Sequence, residues 1–537
     1  MPCSRPAAAM LRRRLTAGPM KGLVRMLRSP RNAWILLILL TVLLRLPALL
    51  HPMTLDDEGG YAVVAHEILF GGTVYEDALD RRPPGIFWTY AAIFGAVGPY
   101  AWAPFHAVAV GWILATMLGL YAIGKQLFSR EAGLAAALLY SIASTRSDWV
   151  NLALNGEVML NLPIVWALYL AFRSSRSRLR PELAGAGVLL AIAFLIKQPA
   201  ATAALPVGLY LLLPGYRVAR GLRLQDSVAQ AALLTASYFL VLGAAALVLH
   251  TQGVLDEAWY WTFTDHDVPH GLTDPVFWSR AAVEVAASVG GWFPLLLVCG
   301  VSLRERARYW RDRGPERSAL LLLLGCGVIG VSASGRFYSH YFFLLLPALV
   351  SLAAPALAAI LSGEVRYRFA LLRRGVMVFL LAGTAGAFLV HNSIGIQEWR
   401  TPSPLSRYVR EHSTPEDRIF IWGQRDWFYA EAQRRPASRF ILSFPLTGHI
   451  FGSPLSDDPD FDTTHRIRPG AWETLEREFE EHPPLFFVDT NPQTEARKYP
   501  PERYPYLRRL LSEEYEVVLT IPDGVVYRRL DAPPSRR

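Results

Sequence analysis

"DDEGGYAVVAHEILFGGTVYEDALDRRPPGIFW", residues 56–88, decides how the rest of the chain is read. It opens with three consecutive carboxylates, Asp56, Asp57 and Glu58, just after about 18 residues of nearly pure hydrocarbon side chain. A run of that length is one bilayer crossing. Charged groups at such a boundary are costly unless they pair or do chemistry. A plain reading makes the carboxylates the cap of "GGYAVVAHEILF", a plausible amphipathic helix at the interface, because Asp is a good N-cap. Snorkelling alone accounts for any single cation nearby. Several cations gathered with the carboxylates at one depth instead suggest a site for a phosphate and a base.

The composition agrees with a membrane setting. Hydrophobic residues make up 52% of the 537 residues and charged residues 18%, with a mean hydropathy of +0.24. Apolar runs recur from Trp34 to about Val390. The first run is too long and too late for a signal peptide. Cys3, Cys299 and Cys326 are scattered, with no disulfide framework and no CxxC metal pair. The sequence pI of about 9.4 could point to nucleic acid, but the basic residues lie in loops between apolar runs, which excludes that class.

Those basic residues set the topology. The N-terminal tail, residues 1–32, carries Arg12, Arg13, Arg14, Lys21, Arg25, Arg28 and Arg31, and the positive-inside rule places it in the cytoplasm. Stretches at 125–130, 173–180, 217–223, 304–317 and 366–374 are basic as well and belong on the same side. The acids lie in the other loops, at 56–82, 148–157 and 256–280, with the short 335–340 loop beside them. Spans at 33–50, 104–124, 131–147, 157–172, 183–197, 199–214, 228–250, 282–301, 317–334, 341–361 and 374–391 then alternate sides, about eleven crossings in all. The segment "GIFWTYAAIFGAVG", residues 85–98, would break the alternation and is short for a crossing. It reads as an interfacial helix with Trp88 and Tyr90 at headgroup level. The expected domains are the basic tail, a membrane domain over 33–392 and an extracytoplasmic α/β domain over 393–537. In the last, "RIFIWG", "PLFFVDT" and the hairpin around "PDG" read as strands. "AWETLEREFEEH" and "YPYLRRLLSEEY" read as amphipathic helices.

The first outer loop resembles that of GT-C glycosyltransferases that use lipid-phosphate sugars, among them protein O-mannosyltransferase and aminoarabinose (lipid A) transferase relatives. The resemblance rests on Asp57-Glu58, Tyr61, Arg82-Pro83-Pro84 and Phe87-Trp88. "LNGEVML" is similar to the second acidic loop, with Glu157 at the acidic position. "AFLIKQPA" is similar to a Lys-Gly segment, with Gln198 in place of Gly, and "GRFYSHYFFLLLPAL" to a late element of bacterial members. The likeness covers about residues 30–360. It implies a GT-C polytopic helical membrane domain with juxtamembrane helices, in a bacterial inner membrane. It also implies a polyprenyl-phosphate sugar donor, a cell-envelope acceptor and no metal cofactor.

In this chemistry the acceptor attacks the anomeric carbon, and inversion in one displacement needs one general base. The register of the motif makes Asp57 that base and Asp56 a cap or spacer. Repulsion between neighbouring carboxylates is expected to raise one pKa. Glu58 or Glu157 would orient the acceptor or the base. Arg45, Arg82, Lys197, Arg336 and His340 are the candidates for stabilising the phosphate as it gains charge. Asp57, Glu157 and Lys197 are expected together at one outer-leaflet cavity. "TDHDVPHG", with Asp265, His266, Asp267 and His270, is spaced closely enough to chelate a metal, although loops this polar are commonly just solvated. A transporter or lipid flippase is the alternative from another class. It would place its charges at mid-membrane and show repeated halves, and the sequence has neither.

Overall fold

The computed structural model describes residues 29–50, 56–145, 152–173, 180–265, 273, 275–362, 402–449, 462–491 and 498–532. The predicted span 374–391, residues 266–270 of the chelating stretch and all but the end of the basic tail lie outside these.

The membrane domain is a helical bundle. Its helices are α1 (Pro30–Leu44), α2 (Asp56–Leu69), α3 (Pro84–Val97), α4 (Trp102–Leu127), α5 (Arg130–Ala143), α6 (Gly156–Phe172), α7 (Pro181–Ile196) and α8 (Ala201–Leu212). They continue with α9 (Pro214–Arg220), α10 (Leu224–Thr251), α11 (Pro275–Arg304), α12 (Gly314–Ser332) and α13 (Leu346–Ser362), which extends a 3₁₀ turn over Ser339–Leu345. Every predicted span up to 341–361 coincides with one of these helices. Five, namely α4, α10, α11, α12 and the unit Ser339–Ser362, are long and apolar enough to cross a membrane unaided, while α1, α3, α6 and α7 are apolar but shorter. Prolines mark the bends: α11 kinks at Trp292, two residues before Pro294, where the proline removes a helical hydrogen bond.

Two of the expectations for the first loop are corrected. The helix α2 is not amphipathic: Tyr61 to Ala65 are all buried, because the bundle covers one side and the C-terminal domain the other. The helix α3 has the predicted extent, but Tyr90 points into the protein rather than outward. Its side chain is fully buried and its hydroxyl donates to the Leu154 carbonyl at 2.7 Å.

The C-terminal domain contains α14 (Pro404–Glu411), β1 (Arg418–Trp422), α15 (Trp427–Ala432), β2 (Arg435–Pro436), α16 (Ala471–Glu481), β3 (Phe486–Asp489), α17 (Pro505–Glu513), β4 (Tyr515–Ile521) and β5 (Gly524–Arg529). The sheet order is β2-β1-β3-β5-β4, with β1 parallel to β2 and β3, and β5 antiparallel to β3 and β4. Side chains alternate across it with period two. Ile419, Ile421 and Val488 join Leu405, Val409 and Phe428 in the core shared with the membrane domain. Phe420, Trp422 and Phe487 pack under Leu475, Phe479 and Leu507 on the other face.

Docking of this domain explains the paired glycines of the opening stretch. A Cβ on Gly59 would lie 2.1 Å from Cβ of Trp427, and one on Gly60 would lie 2.2 Å from Oδ2 of Asp426. At Gly59 the obstacle is the Cβ and main chain of Trp427, so α2 and α15 approach closely there, and at Gly60 it is the Asp426 carboxylate. Arg435 clamps Glu67 with contacts of 2.5 and 2.9 Å, and the Leu79 amide donates to the Arg439 carbonyl at 2.9 Å. Arg468 reaches the helical turns over 255–264, pairing with Glu257 at 2.7 Å and lying 4.6 Å above the rings of both Tyr260 and Trp261. The domain therefore sits on α2, the turn before α3 and the helical turns over 255–264.

Candidate active site

The site is built from four chain breaks that converge. The first is the turn before α3. Tyr75 holds it by donating to the Arg82 carbonyl at 2.8 Å, and Asp80, almost fully buried, accepts from the Arg82 amide at 3.1 Å and its guanidinium at 2.8 and 3.0 Å. Pro83 and Pro84 then start α3, where a missing amide hydrogen costs nothing. The rest of the Arg82 fork reaches Asp57 Oδ1 at 2.9 Å, over the Tyr61 ring at 4.7 Å. Tyr61 donates to Asp57 Oδ2 at 3.4 Å.

The second break is at Lys197, which ends α7 in an extended conformation before the 3₁₀ turn Gln198–Ala200. Gly85 brings the two breaks together: a Cβ there would lie 2.6 Å from the Leu195 carbonyl oxygen, so α3 starts directly on the end of α7. Gln198, at the position where the resembling motif has Gly, donates to the carbonyls of Arg81 at 3.3 Å and Thr262 at 3.0 Å. It thereby fastens the arginine turn to the loop that follows α10.

The third break is the start of α6, where Asn155 caps by accepting from the Val158 amide at 3.1 Å. Lys197 passes over Gly156, where a Cβ would meet its Cδ at 2.9 Å, and forms a close ion pair with Glu157. The Lys197 ammonium also lies 4.7 Å above the Tyr341 ring. The fourth is the 335–340 turn, in which Gly335 and Phe337 have positive φ and His340 stacks against Tyr338.

Asp57, Arg82, Glu157, Lys197 and His340 thus form one electrostatic cluster. Burial pushes the Asp57 carboxyl up, but the charges of Arg82, His340 and Lys197 outweigh it and hold the group below the ordinary carboxylate range. This corrects the expectation that carboxylate repulsion raises it. Burial in turn pushes Arg82 down, and Asp57 and Asp80 together return it well above its usual value. Asp57 and Arg82 remain about a quarter to a third exposed, at 30% and 26%, so a ligand can reach both.

Three predicted residues stand apart. Glu58 turns into the core, where it accepts from the Leu154 amide at 2.6 Å and meets His106 at 3.2 Å. Arg45 is buried against Ser144, donating to its carbonyl at 3.1 Å and its hydroxyl at 3.0 Å. Arg336 is one step removed, beside Arg81; burial, and then the like charge of Arg336, brings Arg81 down to about 10. The sequence reading did not bring forward Asp80 or Tyr341. Only Asp80 carried a signal, its place two residues before the arginine it holds. Among the described residues no group of three or more His, Cys, Asp or Glu side chains is arranged to hold a metal ion.

A membrane bundle that closes a cluster of paired charges beneath a small C-terminal sheet domain defines the class: the chain has the GT-C fold. The family described as dolichyl-phosphate-mannose-protein mannosyltransferase matches residues 81–243, from the arginine turn through Glu157 and Lys197. In structure the chain is similar to ArnT from Cupriavidus metallidurans bound to undecaprenyl phosphate, at 16% identity and a TM-score of 0.60, covering 94% of this chain and 99% of that one. The apo state of the same protein gives 16% and 0.58, covering 93% and 98%. The Archaeoglobus fulgidus oligosaccharyltransferase tethered to an acceptor peptide gives 13% and 0.52, covering 93% and 73%. No curated protein matches the chain in sequence.

Proposed function

We propose that this protein is an integral-membrane glycosyltransferase that moves a sugar from a polyprenyl-phosphate donor to a cell-envelope acceptor at the outer face of a bacterial inner membrane. The observation that carries the reading is Asp57, an accessible carboxylate ringed by Arg82, Lys197 and His340. The fold shared with a protein crystallised with undecaprenyl phosphate supports a lipid-phosphate ligand.

In the proposed reaction an acceptor hydroxyl or amine attacks the anomeric carbon as the bond from that carbon to the phosphate oxygen breaks, with inversion. The bonding pair leaves on the lipid phosphate, where Lys197 and Arg82 offset the added charge and the His340 ring can donate a hydrogen bond. The acceptor proton passes to Asp57. Because nearby cations hold this carboxylate below its ordinary range, the transfer comes late, once the attacking atom has become strongly acidic. Arg82 keeps its bond to Asp80 while it shifts from Asp57 toward the phosphate. Glu157 holds Lys197 charged and in place.

The reading is tested by transfer from a polyprenyl-phosphate sugar in reconstituted membranes, with the donor chosen by mass spectrometry of envelope glycans from cells with and without the gene. Membrane insertion without any Asp57-dependent transfer would favour a transporter instead. Arg82→Ala has a specific signature. It raises KM for the donor about tenfold by removing a charge-assisted phosphate contact. It also moves the acid limb of the kcat/KM profile to higher pH. The sign follows from the site: Arg82 lowers the Asp57 pKa, so without it the base is protonated at a higher pH. An unmoved limb would separate Arg82 from the base.

The outer-face assignment has its own test. Ser438 is buried against Glu478 and is unsuitable as a probe, whereas Glu481 is exposed. A cysteine at Glu481 should react with an impermeant maleimide in intact spheroplasts. Reaction only after lysis would put the C-terminal domain, and the site with it, on the cytoplasmic side.

A further inference from the structure

At the end of the bundle opposite Asp57, α4, α6, α9 and α12 surround an open cavity of about 660 Å³. Its charged wall consists of Lys125, Arg173, Arg220 and Arg313 against two carboxylates, Asp312 and Glu316. Glu316 is already committed. It accepts from the Tyr210 hydroxyl at 3.0 Å and from Arg220 at 3.4 Å, and Arg220 lies 4.3 Å above the Tyr216 ring. Lys125, Arg173 and Arg313 form no ion pair among the described residues, and the Arg313 guanidinium donates to the Leu127 carbonyl at 3.1 Å.

The depth of the cavity identifies the setting. Lys125 lies nineteen residues along α4 from His106, the partner of Glu58, which is about 28 Å of helix. Arg173 caps the helix that starts beside Glu157, about 24 Å away. Both lengths are close to the thickness of the hydrocarbon layer. The other wall is apolar and aromatic, with Tyr121, Trp166, Tyr169 and the exposed Leu118. A cationic wall beside an apolar one, at an interface, suits a ligand with an anionic head and hydrocarbon tails.

We propose that this cavity binds the phosphate headgroup of an anionic phospholipid in the leaflet opposite the candidate active site. A free phosphate would use the cations but not the apolar wall. The positive-inside rule explains why basic residues lie at this end, but not why four of them, from separate elements, face one cavity.

The test is native mass spectrometry of the full-length protein released from bilayers of phosphatidylcholine and phosphatidylglycerol. The expected result is retention of phosphatidylglycerol in preference to phosphatidylcholine, with no displacement by inorganic phosphate. The triple variant Lys125→Gln, Arg173→Gln, Arg313→Gln should weaken retention at least about tenfold, since each interfacial cation adds to the attraction. Equal retention of the two lipids, or unchanged retention in the triple variant, overturns the proposal. Displacement by inorganic phosphate also overturns it, in favour of a free-anion site. If the triple variant fails to insert, Ala122→p-benzoylphenylalanine in the otherwise unaltered chain places a photocrosslinker in the cavity. It should capture phosphatidylglycerol preferentially, and equal capture of both lipids overturns the proposal.

Discussion

Asp57→Asn is expected to lower turnover about 10²-fold or more, the usual contribution of a general base, while the protein still inserts and folds. The second half of that statement comes from the geometry. Asn has the same shape, and its carbonyl oxygen can still accept from Arg82 or Tyr61, which reach the two Asp57 oxygens at 2.9 and 3.4 Å. Arg82 also keeps its bidentate hold on Asp80, so no buried cation is left without a partner. What is lost is the ability to take a proton. Asp56→Asn, one residue earlier, is the control and should change turnover only mildly. The measurement is kcat with saturating donor, beside a check of membrane-extracted yield. An active Asp57→Asn with a dead Asp56→Asn would show that the register of the motif is wrong.

Lys197→Met should be the most destabilising change near the site. The ion pair with Glu157 is almost completely buried, with side-chain exposures of 9% and 4%. Removing one member of such a pair leaves an uncompensated charge and typically costs about 3–5 kcal/mol. Glu157→Gln in the same chain should recover most of that loss, because neutralising both partners removes the stranded charge. Activity should not recover, since the phosphate has still lost a cation. Thermal unfolding in detergent at one scan rate, together with donor turnover, separates these effects. A double variant as active as the wild type would remove Lys197 from the donor site and leave it a purely structural role.

Much of this arrangement was legible because it depends on one-dimensional patterns. Hydrocarbon runs and the arginines between them located the helices, and the loop motif brought Asp57, Arg82, Glu157 and Lys197 forward as one set. What failed depended on direction. Neighbouring helix residues point about 100° apart, so Asp57 and Glu58 cannot share a site as readily as their adjacency suggests. One faces the cluster, and the other is captured by the Leu154 amide and His106. Arg45 was judged by depth alone, but the packing of α1 on α5 turns it to Ser144. Repulsion between carboxylates adjacent in sequence leaves out the cations Arg82 and Lys197, which reach Asp57 from distant parts of the chain. The two-residue strand β2 is too short to leave a period, and the role of Gly59 and Gly60 exists only once Trp427 and Asp426 are beside them.

That contact between distant parts of the chain has a consequence for biosynthesis. Glu67 and Arg435 are separated by 368 residues. At about 5–20 residues per second, a ribosome needs roughly 20–70 s to travel from one to the other. Throughout that interval α2, which bears Asp57, has nothing packed on its glycine face. A nascent chain therefore holds Asp57 without the helix that later packs on α2. The packing around Asp57 is thus completed late, when α15 is delivered and seats on Gly59 and Gly60.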